Sequence, residues 1–134
     1  MKLVKIIELP NFKENSGDIV FIEELSEIAP FTFRRIFYVK AQKGSIRGKH
    51  AHRNCSQLLI CTNGAVEVLC DNYKESGTYI LDKPNIGLLI SPKVWAEQKY
   101  LKDDSILTVI CDQFYEEEDY MRNYSEFSQY VNAK

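Results

Sequence analysis

Between residues 3 and 111 the chain repeats one pattern, in which short apolar, β-branched or aromatic runs are broken every few positions by polar or turn-forming residues. The runs are LVKIIEL, DIVFIEE, RRIFYVK, QLLIC, AVEVLC, TYILD, GLLIS and SILTVIC. Each is short for a helix and suits a pleated, half-buried surface, so they predict strands. Thr62-Asn63-Gly64, between QLLIC and AVEVLC, predicts a tight hairpin, because Asn-Gly supplies the positive backbone dihedrals such a turn requires. A second connection is expected near Asp71-Asn72. Many short antiparallel strands predict a β-sandwich or barrel, of which the jelly roll is one common form.

The period changes near the C-terminus. In FYEEEDYMRNYSEFSQYV, Tyr120, Tyr124, Phe127 and Val131 recur at spacings of four, three and four, which is one face of a helix. The run Glu116-Glu117-Glu118-Asp119 falls in the first turn of that helix, where acidic side chains complement the dipole, and reads as a helix start rather than a catalytic or metal site. No repeat, low-complexity tract or linker divides the sequence. The expectation is therefore all-β: one domain over residues 1–134, a sandwich or barrel with a short C-terminal helix packed on it.

Composition narrows the function. A net charge of −2 offers no general basic field for holding nucleic-acid phosphates. The N-terminal segment interrupts its apolar residues with Lys5 and Glu8, unlike a secretion signal, so a cytoplasmic location with no membrane span is expected. Cys55, Cys61, Cys70 and Cys111 show no CxxC pairing, and three of them sit in strand-like runs, so they read as buried reduced thiols.

The candidate chemistry lies in GSIRGKHAHRNCSQLLICTNG, Gly44 to Gly64, which holds both histidines of the chain. On a strand His50 and His52 project to the same face. The spacing of Gly44, His50, His52, Gln57 and Gly64 resembles the first motif of the cupins, a jelly-roll superfamily, with Gln57 in place of the glutamate of metal-binding members. The segment resembling the second cupin motif, GLLISPKVWAEQ, carries Pro92, Trp95 and Glu97 but no histidine. Such a metal set lacks two expected ligands, so no metal is expected. Acid–base chemistry by the imidazoles remains, beside the cationic Arg34, Arg35, Arg47 and Lys49, which suit an anionic substrate.

The run PFTFRRIFYVKAQKGSIRGKHAHRNCSQLLICTNG, with IGLLISPKVWAE downstream and YEEEDYMRNYSEF at the end, resembles the dTDP-sugar 3,4-ketoisomerases from about Gly17 to Phe127. The resemblance implies a cofactor-independent cupin that moves the carbonyl of dTDP-4-keto-6-deoxyglucose from C4 to C3 through an enediol(ate). It also implies a homodimer with an exchanged N-terminal strand, and a pyridoxal-phosphate aminotransferase as the next enzyme in a route to a 3-amino-3,6-dideoxy sugar of a surface glycan. By the same resemblance His52 is the main base at C3 and His50 its partner, with the roles exchangeable. Arg35 and Arg47 would bind the pyrophosphate or an enediolate oxygen, with Lys49 nearby, and Tyr38 would be a proton donor or sugar ligand. Gln57 and Trp95 would line the pocket, Trp95 being equally explicable as core. Strand alternation nevertheless puts Arg35 and Phe37 on one face and Tyr38 on the other. The alternatives are a dTDP-sugar 3,5-epimerase, whose base is usually paired with an acidic residue, a non-catalytic sugar-binding cupin, and a metal-dependent enzyme.

Overall fold

The computed structural model describes residues 1–23 and 32–133 and folds the alternating runs into strands. In chain order these are β1 (Val4–Glu8), β2 (Asn11–Glu14), β3 (Gly17–Val20), β4 (Arg35–Ala41), β5 (Ile46–His52) and β6 (Gln57–Asn63). They continue with β7 (Val66–Asp71), β8 (Ser76–Leu81), β9 (Ile86–Ile90), β10 (Trp95–Tyr100), β11 (Ser105–Cys111) and β12 (Tyr120–Met121), followed by the helix α1 (Tyr124–Asn132). One five-stranded sheet runs β1-β9-β6-β11-β4 and a second runs β12-β5-β10-β7-β8, while β2 and β3 form a separate hairpin. From β4 to β7 and again from β8 to β12 each successive strand lies in the opposite sheet, the wrapping of a cupin jelly roll. In the DIVFIEE run the strand stops at Val20, and Glu24 lies outside the described residues, as do Pro30 and Phe31 of the PFTFRR segment.

Alternation sorts the side chains into three layers. Between the sheets pack Leu59, Cys61, Val66, Val68, Leu107, Val109 and Cys111. The opposite side chains of β6 and β11, Leu58, Ile60 and Ile110, are also buried, under Ile7 and Leu9 of the N-terminal segment. Strand β6 is thus apolar on both faces, which is why QLLIC reads as a continuous run rather than an alternating one. On the outer face of the second sheet, Ala51, Trp95 and Met121 receive Phe127 of α1, which is fully buried. Burying a side chain of this size stabilises the fold by about 1.5–3 kcal/mol.

The hairpin expected at Thr62-Asn63-Gly64 is not one, because β6 and β7 belong to different sheets. Of the two central residues only Gly64 has a positive φ, +81°, whereas a tight primed turn of that kind needs both. The chain crosses here between sheets, held by Asn63 Nδ2 donating to the Asp104 carbonyl (2.9 Å) and the Ala65 amide donating to Ser105 Oγ (3.2 Å). A side chain at Gly64 would place its Cβ 2.3 Å from Ser105 Oγ, so the close approach demands glycine. The connection expected at Asp71-Asn72 does join a hairpin, β7 to β8.

The tail also departs from expectation. The helix begins at Tyr124 with Asn123 as its N-cap, whose side chain accepts from the Ser125 and Glu126 amides. The acidic run instead forms a 3₁₀ turn over Glu117–Asp119, and Tyr120 belongs to β12, paired with His52. Tyr120 therefore leaves the aromatic stripe of the helix. Among the described residues no helix is long and apolar enough to cross a membrane.

Candidate active site

Strand β5 carries both histidines, and a distortion just ahead of them sets their aim. Gly48 and Lys49 have positive φ values of +84° and +57°, and the pairing with β10 shifts register between Ala96 and Glu97. A β-bulge of this kind re-aims the strand at the cost of a non-glycine residue in the left-handed region. It turns His50 toward a cavity of about 210 Å³ between the sheets, to which β4, β6 and β11 contribute from one side and β5, β10 and β12 from the other. Polar groups reach this cavity from Arg47, His50, Gln57, Gln98, Tyr120 and Arg122.

The two imidazoles stand edge to face, with ring centroids 5.0 Å apart. His52 is 6% exposed, and its Nδ1 lies 2.6 Å from Asp119 Oδ2. The other carboxylate oxygen accepts from the Asn54 amide at 2.6 Å. With the carboxylate ionised, His52 carries its proton on Nδ1, and Nε2, buried and without a hydrogen-bond partner, keeps its lone pair for a substrate proton. His50 places Nδ1 3.1 Å from the Gly48 carbonyl, an acceptor, which likewise leaves Nε2 as the basic nitrogen. Burial, reinforced by the neighbouring His52, pulls His50 down to about 4. Burial also lowers His52, but there the hydrogen bond and charge of Asp119 work in the opposite direction. His52 is thus the imidazole with a built-in stabiliser for its protonated form.

The acidic run containing Asp119 does not start the helix, contrary to the expectation from sequence: Asp119 lies in the 3₁₀ turn before β12. It is 7% exposed and faces His52 because the segment is clamped to β5. The Arg53 amide donates to the Asp119 carbonyl (2.8 Å), and Arg53 Nη1 donates to the carbonyls of Glu118 (2.6 Å) and Tyr120 (3.1 Å). The same clamp brings in Tyr120 and Arg122. The Tyr120 ring lies 4.4 Å from that of His52 and 5.0 Å from that of His50, and the Arg122 guanidinium sits 4.4 Å over it, held in turn by Glu117.

The remaining expected residues divide. Arg35 is half-buried and donates to the Tyr120 hydroxyl (3.3 Å) and to Cys111 Sγ (3.5 Å). Gln57 is buried, lines the cavity and also donates to Cys111 Sγ (3.5 Å). Hydrogen bonding from the Cys55 thiol, then from Gln57 and Arg35, outweighs burial and brings Cys111 to about 7. Arg47 lines the cavity. Tyr38 does not: it projects from the outer face of β4 and is 72% exposed, as the strand alternation required. Lys49 is exposed at the bulge and is not among the residues that line the cavity. Trp95 is core on the outer face of β10, its Nε1 donating to Glu97 Oε2 (2.9 Å) and its ring packed on Tyr124 and Phe127. All four cysteines are free and buried.

His52, Cys55 and Asp119 bring potential metal-ligand atoms within 4.8 Å of one another. Their donors are committed, since both Asp119 oxygens are taken, and the hydrogen bond to Cys111 together with burial pushes the Cys55 thiol up, keeping it protonated. A cysteine binds a metal as its thiolate, so Cys55 is a poor ligand here. The set fits a carboxylate-backed base.

Comparison with known proteins finds relatives over nearly the whole chain. The TDP-4-oxo-6-deoxy-alpha-D-glucose-3,4-oxoisomerase of Aneurinibacillus thermoaerophilus is 35% identical over 128 residues, 95% of this chain and 91% of that one. A 3,4-ketoisomerase from Helicobacter canadensis superposes with a TM-score of 0.91 at 34% identity, covering 96% of this chain and 97% of that one. A mutant of the 3,4-ketoisomerase QdtA from Thermoanaerobacterium thermosaccharolyticum, solved in complex with TDP-4-keto-6-deoxyglucose, superposes with a TM-score of 0.93 at 30% identity over 98% of this chain and 95% of that one. The family model described as WxcM-like, C-terminal matches residues 2–132. With the jelly roll, the paired histidines and these matches in agreement, the chain belongs to the FdtA family.

Proposed function

We propose that this protein is a dTDP-4-keto-6-deoxyglucose 3,4-ketoisomerase, and that His52 backed by Asp119 is its carbon base. The observation that carries the reading is the buried His52–Asp119 pair beside a second imidazole at the wall of one small cavity. The cavity is below the roughly 300–1,000 Å³ of drug-sized ligand pockets, which suits one sugar ring with the nucleotide outside it. Arg47 at the cavity wall would meet the diphosphate. The ketone at C4 acidifies the proton on C3; His52 Nε2 takes it, Asp119 stabilises the imidazolium, and the enediolate is reprotonated at C4. His50, held neutral, hydrogen-bonds the sugar or passes protons.

A 3-keto product is a substrate for a pyridoxal-phosphate aminotransferase, and we propose that such an enzyme acts next. The assembly we propose is a homodimer formed through the N-terminal segment. Phe12 and Ile19 on the β2–β3 hairpin, Ile6 on β1, and Ile36 and Tyr38 on the edge strand β4 are all exposed apolar or aromatic positions that a second copy would cover. A dimeric mass by light scattering, lost on Ile36→Lys, supports this arrangement; a monomer at working concentration refutes it.

A 3,5-epimerase is the one competing reaction with an observation in its favour, because the base does have an acidic partner. The purified protein incubated with dTDP-4-keto-6-deoxyglucose in heavy water separates the two. Deuterium at C4 of a trapped 3-keto product supports the isomerase. Deuterium at C5 together with C3, and no 3-keto sugar, would establish the epimerase instead.

A further inference from the structure

All four thiols are buried, and burial alone keeps a thiol protonated. Cys61 and Cys70 follow that rule, both pushed up by burial, Cys70 to about 12. Cys111 breaks it, because donors converge on its sulfur. Arg35 Nη2 and Gln57 Nε2 each lie 3.5 Å from Cys111 Sγ, neither of those nitrogens can accept a hydrogen bond, and the Cys55 thiol is hydrogen-bonded to the same sulfur. These donors, led by Cys55, outweigh burial and bring Cys111 to about 7, whereas Cys55 is pushed up. The proton transfers of the isomerisation use neither sulfur.

The backbones that carry the pair already adjoin. Cys111 is the register partner of Gln57, two residues past Cys55. Between them the Ser56 amide donates to Asp112 Oδ1 (2.8 Å), and the Asp112 amide donates to the Ser56 carbonyl (3.2 Å). Gln57, in contact with Cys111 Sγ, also lines the cavity, so the sulfur lies one side chain behind the cavity wall. The other end of the pair touches the base. Cys55 Sγ lies within 4.8 Å of a His52 ring nitrogen and of an Asp119 carboxylate oxygen, and the amide of its neighbour Asn54 holds Asp119 Oδ1 at 2.6 Å.

We infer that Cys55 and Cys111 form a reversible redox switch, in which hydrogen peroxide closes a disulfide between them and disables the His52–Asp119 pair. The Cys111 thiolate attacks one peroxide oxygen, the O–O bond breaks and hydroxide leaves, giving a sulfenic acid. The Cys55 thiol then attacks that sulfur; the S–S bond forms, the S–O bond breaks, and the thiol proton leaves with the oxygen as water. The two sulfurs lose two electrons and the peroxide gains them. A covalent S–S bond draws the sulfurs closer than a hydrogen bond does, pulling residues 54–56 toward β11. The Asn54 amide is drawn off Asp119, and Arg35 and Gln57 lose the anion they face. Closure of the disulfide is independent of the reaction catalysed; its effect on turnover rests on the isomerase reading.

The test treats the full-length protein with hydrogen peroxide and divides it in two. One portion is mapped by peptide mass; the other is assayed for 3-keto product from dTDP-4-keto-6-deoxyglucose, before and after a dithiol reductant. The expected map shows a Cys55–Cys111 peptide lacking two hydrogens. The rate falls by at least about tenfold, the smaller side of what losing a hydrogen bond to a charged group costs, and returns to within about twofold on reduction. In Cys55→Ser no disulfide closes, and the sulfenic acid at Cys111 is captured by dimedone. A cross-link that leaves the rate unchanged, a loss of rate without the cross-link, pairing to Cys61 or Cys70 instead, or no dimedone adduct at Cys111 overturns the inference. If the serine variant does not fold, the map and the reversal in the parent decide. A protein that forms the cross-link yet makes no 3-keto sugar before oxidation would refute the isomerase reading while upholding the redox pair.

Discussion

Replacing Asp119 with asparagine removes one charge and keeps the shape. Both carboxylate oxygens now accept, one from His52 Nδ1–H and the other from the Asn54 amide, each at 2.6 Å. An asparagine has one acceptor, and the backbone N–H of Asn54 can do nothing but donate, so the amide oxygen stays with Asn54 and the NH₂ group turns to His52. The imidazole then presents the Nδ1 lone pair to that NH₂ and carries its proton on Nε2, where the base should be. Hydrogen bonds to a charged group contribute about 1.5–3 kcal/mol, and this one strengthens as the imidazolium forms, so the barrier rises by a similar amount. At 1.36 kcal/mol per tenfold, kcat falls by about 10- to 150-fold, and further if the wrong tautomer dominates. KM changes little, because the buried carboxylate does not line the cavity. The assay is the initial rate of 3-keto product formation, coupled to an aminotransferase, with the fold checked by thermal melting. A variant that retains kcat within about twofold, a difference of under half a kcal/mol, refutes the assignment of Asp119 as the partner of the base.

Three further outcomes follow from other positions. His50 ionises near 6.5 when unfolded and at about 4 when folded, so the unfolded chain binds the proton first as pH falls; stability is full above 6.5 and drops toward pH 4 by up to about 3 kcal/mol, seen as a falling urea midpoint that His50→Gln flattens. Gly48→Ala puts a Cβ 2.3 Å from Gln98 Oε1 at φ +84°; a left-handed alanine costs about 1–2 kcal/mol, and displacement of Gln98 from the cavity raises KM, so a variant matching the parent in melting temperature and KM would contradict the bulge geometry. Tyr38→Phe, on the outer face of β4, leaves kcat/KM within about twofold because no cavity contact is lost, and a larger loss measured under the same assay would mean that the strand faces have been misassigned.

The parts of the site that obey strand alternation could be read from the sequence. His50 and His52 share a face because the bulge at Gly48–Lys49 lies ahead of them rather than between them, and Arg35 and Tyr38 do not because β4 pairs with β11 without a register shift. What was not legible depends on partners distant in the chain. Asp119 is one of four consecutive acids, and its neighbours are solvated; only the fold, across 67 residues, sets it against His52. Tyr120 fits the helical stripe by spacing, yet its backbone pairs with β5, and the cap at Asn123 starts the helix later. The sheet crossing at Asn63-Gly64 has the residues of a hairpin turn, and Ser105, far along the chain, decides otherwise. Trp95 sits beside Glu97 and Gln98 in sequence, but alternation on β10 sends it outward under α1 while Gln98 turns inward.

Tyr120 reaches the cavity from a two-residue strand, β12, which Asp119 and Arg122 flank and whose outer residue Met121 is pinned by Phe127 of α1. The acid–base pair is thereby assembled from a strand deep in the sandwich and from a short strap with few contacts of its own. Loosening of the last helix releases the strap while the two sheets stay paired, so chemistry is lost before structure. Residual turnover under mild denaturant is therefore a gauge of how firmly α1 is seated, and stabilising that helix is the direct way to extend the range over which the enzyme works.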